Sequence, residues 1–505
     1  MDTLHRLTLG DLAREHRRSR PGVTAAVDGA ERLSYVELDD RANRVASALA
    51  VAGVEAGDRV LWLGQTSARV LELLLGCAKL GAVLCPANAR QSADELRFVL
   101  RDLDPRVVVW QPALGDAARE SQDAAPDARW VEDGDDYRRW LDDAPPEDDE
   151  RSVDPGLPVL ALYTAAFDGR PSAALLSHTA LLTHSVSIGW IRQIEPGFTY
   201  LNSGPLFHVG TMMFCLATLH LGGTNVFTPG FVPAEVCRLV EQERCTSAFL
   251  YGPMLDQLVE ANTGEDGKPR HDLSSLHFSA GSDVWNAMIT VDESPWGRAL
   301  GGYGQSEVAG MLTFTGLGLG ALGSHGRPSP FAQVRIVDAG GAELPAGEVG
   351  EMVARGPIMF SGYWNRPELN AAKRAGGWHH TGDLARRETD GTITFIGPKL
   401  RMIKSGGENV YPAEVERALA THPGIKEAAV IGVPDERWGQ TVKAIVVATD
   451  PALTADDVVA HVRDQIASYK KPGHVVFAES LPRRGFTPDY DALDEAYGGG
   501  GYPIV

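Results

Sequence analysis

The chain has 505 residues, of which 44% are hydrophobic and 23% are charged, values typical of a soluble globular protein with two or more domains. Its net charge of −20 argues against nucleic-acid binding, because a phosphate backbone would be repelled. No apolar run reaches the roughly 18–20 residues that span a bilayer, and the N-terminus lacks the apolar core of a signal peptide. Five cysteines without CxxC spacing argue against disulfides and zinc, so we expect a cytoplasmic protein with no assigned metal ligands and with no membrane or nucleic-acid partner.

The N-terminal part of the chain alternates short apolar runs with helical patterns, which indicates α/β layers. Strands are predicted at RVLWLG (59–64), RVVVW (106–110), PVLALYT (158–164) and AFLYG (248–252), and a helix at SARVLELLLGCAKLG (67–81). The acidic stretch from Asp116 to Asp154 predicts a surface excursion without a chemical role.

The pattern changes at Gln333, after which shorter strands and turns (VRIVDAGG, GEVGEMVARG, DGTITFIG) indicate a β-rich subdomain. From Arg401 onward, AEVERALATHP, EAAVIGVPD and VKAIVVATD predict a small α+β unit, and the run GGGG (498–501) predicts a loose tail. The expected fold class is therefore α/β, with a large N-terminal domain of layered subdomains over residues 1–400 and a small C-terminal lid over residues 401–505.

Seven segments contain candidate catalytic or ligand-binding residues. They are YTAAFDGRPSA (163–173), PLFHVG (205–210), SAGSD (279–283), YGQSEVAG (303–310), HHTGDLARRETDG (379–391), GPKLRMIKSGGENVYPAEVE (397–416) and LPRRGFTPDYDAL (481–493). In this order they resemble the motifs of the ANL superfamily of adenylate-forming enzymes, over nearly the whole chain. The resemblance implies a mobile lid and two reactions: an acid and ATP give an acyl-AMP, and CoA then displaces AMP.

The first segment resembles the family's phosphate-binding loop, YTSGTTGxPKG, but it lacks most of that loop's hydroxyls and its lysine. The degenerate loop comprises Thr164, Phe167, Asp168, Arg170 and Ser172. Each lost charge-assisted contact to phosphate is worth roughly 1.5–3 kcal/mol. Asp168 also adds an anion where a triphosphate would lie, and whether Arg170 supplies a substitute charge is left open.

The segments that would hold AMP are better preserved. The resemblance implies that Tyr303 stacks on adenine, that Ser306 meets the α-phosphate and that Asp383 receives both ribose hydroxyls, as a carboxylate can. The implied AMP-binding set is Ala280, Gly281, Ser282, Tyr303, Gly304, Ser306, Glu307 and Asp383. Glu307 holds magnesium in relatives that use MgATP, and whether Mg²⁺ is needed here is left open.

His208 lies in the segment that lines the acyl pocket in the family. There it would orient the acyl carboxyl, although a histidine after an apolar strand is also a common core residue. The apolar residues that follow, Met212, Met213 and Phe214, are consistent with a hydrophobic acyl group.

The loop SGGENVYP (405–412) resembles the family's CoA-binding loop and is intact. The implied CoA-binding residues are Ser405, Gly406, Gly407 and Glu408, and the implied catalytic residues are His208, Gly406 and Gly407. Arg401 occupies the hinge position, and Pro398 stands where the family has an arginine. The family's C-terminal lysine is missing, because residues 472–505 contain no lysine.

The losses fall on residues that handle ATP, whereas those for the adenylate and CoA are kept. This pattern predicts an acyl-CoA ligase specialised for thioesterification, with CoA and the AMP moiety of an acyl-adenylate as its cofactors. A separate adenylating enzyme would supply the adenylate. The pattern is similar to that of non-adenylating CoA ligases of antibiotic biosynthesis, which implies a diterpenoid acid as the acyl group.

Two alternatives remain open from the sequence. One is a complete ATP-dependent acyl-CoA synthetase that has rebuilt its phosphate site with Arg170, Arg401 and Arg483. The other is an inactive homologue that binds AMP or CoA and regulates a partner. The intact loop SGGENVYP argues against the second alternative.

Overall fold

A computed structural model describes residues 4–164, 171–405, 408–466, 468–484 and 487–502. The chain divides into two compact units. The first comprises Met1–Gly320, His325–Gln333 and Arg355–Arg374, and the second comprises Ala321–Ser324, Val334–Ala354 and Ala375–Val505. The domain boundary expected at residue 401 stays a prediction.

Sixteen α-helices occur within the described residues. They are α1 (Leu9–Ser19), α2 (Tyr35–Val51), α3 (Arg69–Leu80), α4 (Ala93–Leu103), α5 (Gly115–Ser121), α6 (Asp135–Asp142), α7 (His178–Arg192), α8 (Val209–His220), α9 (Pro233–Glu243), α10 (Gly252–Asn262), α11 (Asp283–Asn286), α12 (Pro295–Arg298), α13 (Pro367–Lys373), α14 (Pro412–Ala420), α15 (Ala455–Gln465) and α16 (Tyr490–Tyr497).

The strands, many of them short, are numbered over the same described part of the chain. They are β1 (Thr24–Asp28), β2 (Glu31–Ser34), β3 (Arg59–Leu63), β4 (Val83–Pro86), β5 (Val107–Trp110), β6 (Arg129–Glu132), β7 (Pro158–Thr164), β8 (Ser172–Ser177), β9 (Thr199–Asn202), β10 (Thr224–Phe227), β11 (Ser247–Ala248), β12 (His277–Phe278), β13 (Thr290–Val291), β14 (Gly304–Gln305), β15 (Gly310–Met311), β16 (Thr313–Phe314), β17 (Arg327–Pro328), β18 (Gln333–Val337), β19 (Val349–Arg355), β20 (Gly362–Tyr363), β21 (His379–Arg387), β22 (Ile393–Pro398), β23 (Ile403–Ser405), β24 (Glu408–Val410), β25 (Ile425–Asp435), β26 (Gly439–Ala448), β27 (His474–Phe477), β28 (Arg483–Arg484) and β29 (Thr487–Pro488).

Two sheets organise the first unit. A seven-stranded sheet has the order β20-β8-β7-β4-β3-β5-β6, parallel from β7 to β6 and antiparallel at β8 and β20. A five-stranded sheet has the order β11-β9-β10-β1-β2, in which only β2 runs antiparallel to its neighbour. Helix α3 is buried along most of its length, which explains its continuous apolar sequence.

The second unit contains the two sheets predicted after Gln333. The sheet β18-β19-β21-β22 corresponds to the predicted β-rich subdomain, with β21 antiparallel to both β19 and β22. In the other, β26 pairs antiparallel with β23 and β25 and parallel with β27. Val430, Val446 and Leu419 belong to the apolar core on one face of this sheet.

Most predicted elements are confirmed, including the α/β fold class, β3, β5, β7 and α3. The prediction of a strand at AFLYG is wrong beyond Ala248, because β11 ends there and α10 begins at Gly252. The acidic stretch is not merely a surface excursion. Asp148 forms ion pairs with Arg14 at 2.7 Å and with Lys79 at 2.6 Å, and α6 buries Trp140.

The prediction of a loose glycine tail is also wrong. The Gly500 N–H donates to the Gly432 carbonyl oxygen at 3.0 Å, and Gln440 Nε2 donates to the Gly500 carbonyl oxygen at 2.7 Å. Backbone groups that glycine leaves accessible can pair directly with neighbouring strands, so composition alone is a poor guide to order here.

Candidate functional site

Tyr303 is held at the start of the hairpin formed by β14 and β15. Its N–H donates to Thr313 Oγ1 at 3.0 Å, and its carbonyl oxygen accepts the Leu312 N–H at 2.8 Å. Both flanking residues must be glycine. A Cβ at Gly302, whose φ is +151°, would lie 1.9 Å from the Thr313 carbonyl oxygen, and one at Gly304 would lie 2.2 Å from that of Gly310. The backbone around the predicted adenine-binding residue is therefore fixed by close packing.

Glu307 lies in the turn of the same hairpin and is buried. Its Oε1 accepts a hydrogen bond from the Tyr363 hydroxyl at 2.7 Å, and its carbonyl oxygen accepts the Phe360 N–H at 2.8 Å. Burial raises the pKa of the Glu307 carboxyl. Ser306, the predicted phosphate contact, is half-buried beside it.

The remains of the predicted phosphate loop lie where β7 and β8 pair. Thr164 is opposite Ser172, and Thr164 Oγ1 donates to the Ser172 carbonyl oxygen at 3.2 Å. On the other side of β8, Tyr363 pairs with Ala174. The structure therefore brings Thr164 and Ser172 to the sheet region that also carries the partner of Glu307. Phe167, Asp168 and Arg170 lie outside the described residues.

His208 caps the N-terminus of α8. Its Nδ1 accepts the Gly210 N–H at 3.2 Å, which assigns the proton of a neutral imidazole to Nε2. The His208 side chain is exposed, but the protein around it removes part of its hydration. This desolvation lowers the pKa of the imidazole below its ordinary value. The lowered pKa favours the neutral imidazole, in which the proton is on Nε2.

Helix α8 packs against β15, so the predicted acyl-pocket residues lie beside the adenylate motif. A Cβ at Gly310 would lie 2.7 Å from Met213 Sδ. Met213 and Phe214 share an apolar cluster with Met311, which directly follows the segment YGQSEVAG. Single-sequence reasoning found these residues by motif but not their arrangement.

The turn SAGSD is exposed, and hydrogen bonds with Trp285 and Asn286 fix its conformation. The Gly281 N–H donates to Asn286 Oδ1 at 2.8 Å, and Ser282 Oγ accepts the Trp285 N–H at 3.3 Å as the cap of α11. Ala280, between Ser279 and Gly281, is exposed as well. The predicted residues thus form an exposed turn in which the N–H and the carbonyl oxygen of Gly281 both pair with the Asn286 side chain.

In the second unit, Asp383 lies on β21 opposite Pro398 on β22. It is largely buried, and its N–H donates to Thr381 Oγ1 at 3.1 Å. The Gly382 N–H donates to Glu351 Oε1 at 3.2 Å, which fixes the residue before the carboxylate. Because proline has no side-chain donor, position 398 adds no cationic contact beside the predicted ribose ligand.

The predicted CoA loop begins where β23 and β24 pair, with Ser405 opposite Glu408. Gly406 and Gly407, the predicted catalytic glycines, lie outside the described residues.

Arg401, the predicted hinge residue, is engaged within its own unit. Its Nη1 lies 2.7 Å from Asp494 Oδ2, and its Nη2 forms an ion pair with Asp491. The guanidinium also lies over the rings of Tyr490, at 5.2 Å, and Tyr502, at 5.7 Å. These partners of the Arg401 side chain come from the C-terminal segment.

The other arginines near the C-terminus also have acidic partners. Arg483 pairs with Glu427, and Arg484 lies 3.4 Å from both Asp489 and Asp491. These pairs are exposed on the arginine side, so each holds its arginine weakly.

Two contacts at the candidate site escaped the sequence reasoning. Tyr363 is 56 residues from Glu307, so no local pattern in the sequence connects them. Asp491 and Asp494 are three residues apart and therefore share one face of α16, a spacing that becomes informative once the helix is known.

Within the described ranges, no group of three or more His, Cys, Asp or Glu side chains is placed to hold a metal ion. No helix in this part of the chain has the length and apolar character of a membrane span. The described cysteines, Cys77, Cys85, Cys215, Cys237 and Cys245, are buried free thiols.

Two protein-family models match the chain. Residues 13–364 match the AMP-binding enzyme family, and residues 414–485 match the AMP-binding enzyme C-terminal domain. These matches confirm the resemblance to adenylate-forming enzymes that the motifs suggested.

Individual relatives match over almost their whole length. A feruloyl-CoA synthase from Amycolatopsis sp. is 37% identical, with 94% of this chain and 96% of the relative covered. An indoleacetate–CoA ligase from Aromatoleum aromaticum is 34% identical, with 94% and 95% covered. The ATP-bound structure of MatB from Rhodopseudomonas palustris superposes with a TM-score of 0.83 at 28% identity, covering 97% of this chain and 99% of that one.

Proposed function

We propose, from the premise that this chain belongs to the AMP-binding enzyme family and is an acyl-CoA ligase, that it catalyses only the second half of the ligase reaction. It would convert an acyl-AMP and CoA into acyl-CoA and AMP, and it would not make the acyl-AMP from ATP. A separate adenylating enzyme would supply the acyl-AMP.

The C-terminal segment carries this proposal. Relatives use a lysine ammonium there to bridge the carboxylate and the α-phosphate, and residues 472–505 of this chain contain none. Loss of one such preorganised group costs about 10²–10³ in rate. In the described part of this segment, Asp491 and Asp494 bind Arg401, one of the three arginines that a rebuilt phosphate site would need.

Further substitutions support the same conclusion. Ser172, at the position of the loop lysine, is buried with its backbone in β8, and Pro398 replaces the arginine beside Asp383. At roughly 1.5–3 kcal/mol for each lost charge-assisted contact, these changes together disfavour triphosphate binding strongly.

The second half-reaction needs little of what is missing. The CoA sulfur attacks the acyl carbonyl carbon, the C–S bond forms and the bond from that carbon to the phosphate-bridging oxygen breaks. AMP leaves with that oxygen, and the thiol proton passes to solvent. His208 Nε2–H would orient the carbonyl oxygen, while Tyr303 and Asp383 would hold AMP. Catalysis then rests on positioning thiol and carbonyl.

The acyl group and its supply are also part of the proposal. Named relatives act on feruloyl and indoleacetyl groups, so cyclic apolar acids are reasonable candidates. The similarity to non-adenylating ligases of antibiotic biosynthesis adds diterpenoid acids. Mg²⁺ has no assigned step, because no triphosphate is handled in this half-reaction.

The test compares two sets of reactions by mass spectrometry. In one, synthetic feruloyl-, indoleacetyl- and diterpenoid acyl-AMPs are each incubated with CoA. In the other, the free acids are incubated with ATP, Mg²⁺ and CoA, and ATP–pyrophosphate exchange is measured. Acyl-CoA from adenylates alone supports the proposal. Acyl-CoA or exchange from the free acids would contradict it.

A variant distinguishes the regulatory alternative. Gly407→Trp should abolish acyl-CoA formation if the loop SGGENVYP carries the thiol to the adenylate. An inactive regulatory homologue would show no turnover in the parent chain, and the substitution would change only binding. Binding of CoA by calorimetry to both proteins completes the comparison.

A further inference from the structure

Three buried polar groups in the first unit have no hydrogen-bond partner within the described residues. They are the Nε of Arg192 at the end of α7, the hydroxyl of Tyr200 on β9 and the indole Nε1 of Trp296 on α12. Buried polar atoms in folded proteins are nearly always paired, so three such atoms in one cluster call for an explanation.

Phe214 connects the three residues. Its ring centroid lies 5.6 Å from that of Tyr200 and 5.9 Å from that of Trp296. The Arg192 guanidinium lies 5.7 Å from the Phe214 ring and 4.7 Å from the Trp296 ring. The unpaired polar atoms therefore lie beside the aromatic rings of Phe214 and Trp296.

Arg192 forms no ion pair with any described residue. Desolvation lowers the pKa of its guanidinium to about 10, so the side chain still carries its positive charge at pH 7. A charged donor against two aromatic rings gains cation–π energy but leaves its N–H unsatisfied.

The cluster adjoins the reaction centre. Phe214 is six residues after His208 on the same helix, and Met213 and Met311 belong to the same apolar group. Met311 follows the segment that carries Tyr303 and Glu307. The cluster is thus on the side of α8 that faces the adenylate motif, one to two helical turns beyond His208.

We propose that Arg192, Tyr200 and Trp296 form the distal end of the acyl-binding site and bind an oxygen acceptor that the acyl group carries far from its reacting carbonyl. This inference rests on the proposed function and names its substrate class. Arginine and tryptophan only donate, so the ligand must accept, as a ketone, hydroxyl or carboxylate oxygen does. The rest of the acyl group is apolar and cyclic, so that it can pack against the rings of Phe214 and Trp296.

The test uses acyl-AMPs that differ only at the distal end. The 3-(4-acetylphenyl)propanoyl and 3-(4-isopropenylphenyl)propanoyl adenylates have the same shape, but only the first has an acceptor, and a 4-carboxyphenyl analogue adds an anion. We expect kcat/KM with CoA to favour the acetyl over the isopropenyl compound by about 10-fold or more. Preference for the carboxyl compound over the acetyl compound would identify an anion as the better ligand.

Variants assign the preference to the cluster. Arg192→Met and Tyr200→Phe should reduce the acetyl-to-isopropenyl ratio towards one, with the loss in the acetyl compound alone. Arg298→Met is the matched control, because Arg298 is exposed and pairs with Glu293 at 3.0 Å. It should keep the ratio of the parent chain. Thermal unfolding verifies that each variant is folded.

Failure of this inference is distinguishable from failure of the proposed function. Acyl-sulfamoyl adenosines with the same three ends report binding by calorimetry without any turnover. Equal affinity for the acetyl and isopropenyl forms in the parent chain would overturn the inference even if thioester formation is confirmed. A binding preference lost in Arg192→Met or Tyr200→Phe would support it even if no adenylate reacts.

Discussion

Arg401 Nη1 lies 2.7 Å from Asp494 Oδ2, and the other carboxylate oxygen of Asp494 accepts the Tyr502 hydroxyl at 2.9 Å. Both oxygens of one carboxylate are thus used to connect the hinge position to the last described residues of the chain. Tyr502 also accepts the Gly432 N–H at 3.0 Å. The segment in which the family resemblance implies a catalytic lysine is here a structural part of its own unit.

Removing Asp494 should therefore destabilise the second unit. Asp494→Asn removes one charge from a pair in which both side chains are largely buried and leaves Arg401 undercompensated. We expect the free energy of unfolding to fall by roughly 1–3 kcal/mol. Urea unfolding followed by tryptophan fluorescence measures the change.

The control is Arg463→Gln, because Arg463 is exposed and lies 3.5 Å from Asp464 in a pair of the kind that contributes little. A double-mutant cycle of Arg401→Met with Asp494→Asn should give a coupling free energy above about 0.5 kcal/mol. Additive effects would show that the two side chains do not stabilise each other.

Much of the fold could be predicted because its signals are local. The segment PVLALYT was recognisable as β7 since a strand buried on both faces is continuously apolar. Gly500 shows where this fails: its order depends on Gly432 and Gln440, which are distant in sequence. The composition of a segment indicates its own conformational preference, but it does not reveal which distant residues the segment pairs with.

The candidate site divides in the same way. Tyr303 and Asp383 were found because each lies in a short, distinctive motif. The contact between Tyr363 and Glu307 and the cluster around Phe214 join segments far apart in the chain. Burial, pKa shifts and unpaired donors are properties of such tertiary contacts, so no local pattern in one sequence reveals them.

Restoring a lysine alone should not restore adenylation. Thr487 is exposed, so Thr487→Lys is expected to fold and to place an ammonium in the segment LPRRGFTPDYDAL, where the family's lysine is missing. ATP–pyrophosphate exchange should stay at background, because the loop residues and Pro398 are unchanged, while thioester formation from acyl-AMP should persist. Exchange clearly above that of the parent chain would mean that the lysine was the only missing group.

Thioester formation should not depend on Mg²⁺. Glu307→Gln keeps a hydrogen-bond acceptor for Tyr363 and removes a carboxyl that burial already favours in its neutral form. We expect kcat/KM for acyl-AMP and CoA to change less than about 5-fold, since a neutral acceptor is retained. EDTA should leave the rate of the parent chain unaltered, and a rate that requires added Mg²⁺ would refute this account.

Gly302 offers a test of the packing around Tyr303. Gly302→Ala would place a methyl group 1.9 Å from the Thr313 carbonyl oxygen, so the hairpin must shift. We expect binding of an acyl-sulfamoyl adenosine to weaken at least 10-fold, with a loss of stability of roughly 2 kcal/mol or more. Gly301→Ala is the matched control, because Gly301 has φ +94° but no atom within 4 Å of its added Cβ. It should cost only backbone strain of about 1 kcal/mol and leave binding intact.

We expect the free energy of unfolding to fall in acid because of His184. Its buried Nε2 accepts the Met311 N–H at 2.9 Å, and burial lowers its pKa from 6.5 to about 4. A pKa lowered by folding means that the neutral imidazole stabilises the fold fully above pH 6.5. This contribution is lost as the pH falls from 6.5 towards 4, by up to about 3 kcal/mol.

His184→Gln keeps an acceptor for Met311 but does not titrate. Its unfolding free energy, measured by urea denaturation at several pH values, should therefore fall less over this range. His178→Gln should act in the same direction, because burial also lowers the pKa of His178 to about 4. Equal pH dependence in the parent chain and His184→Gln would contradict the assignment of this loss to His184.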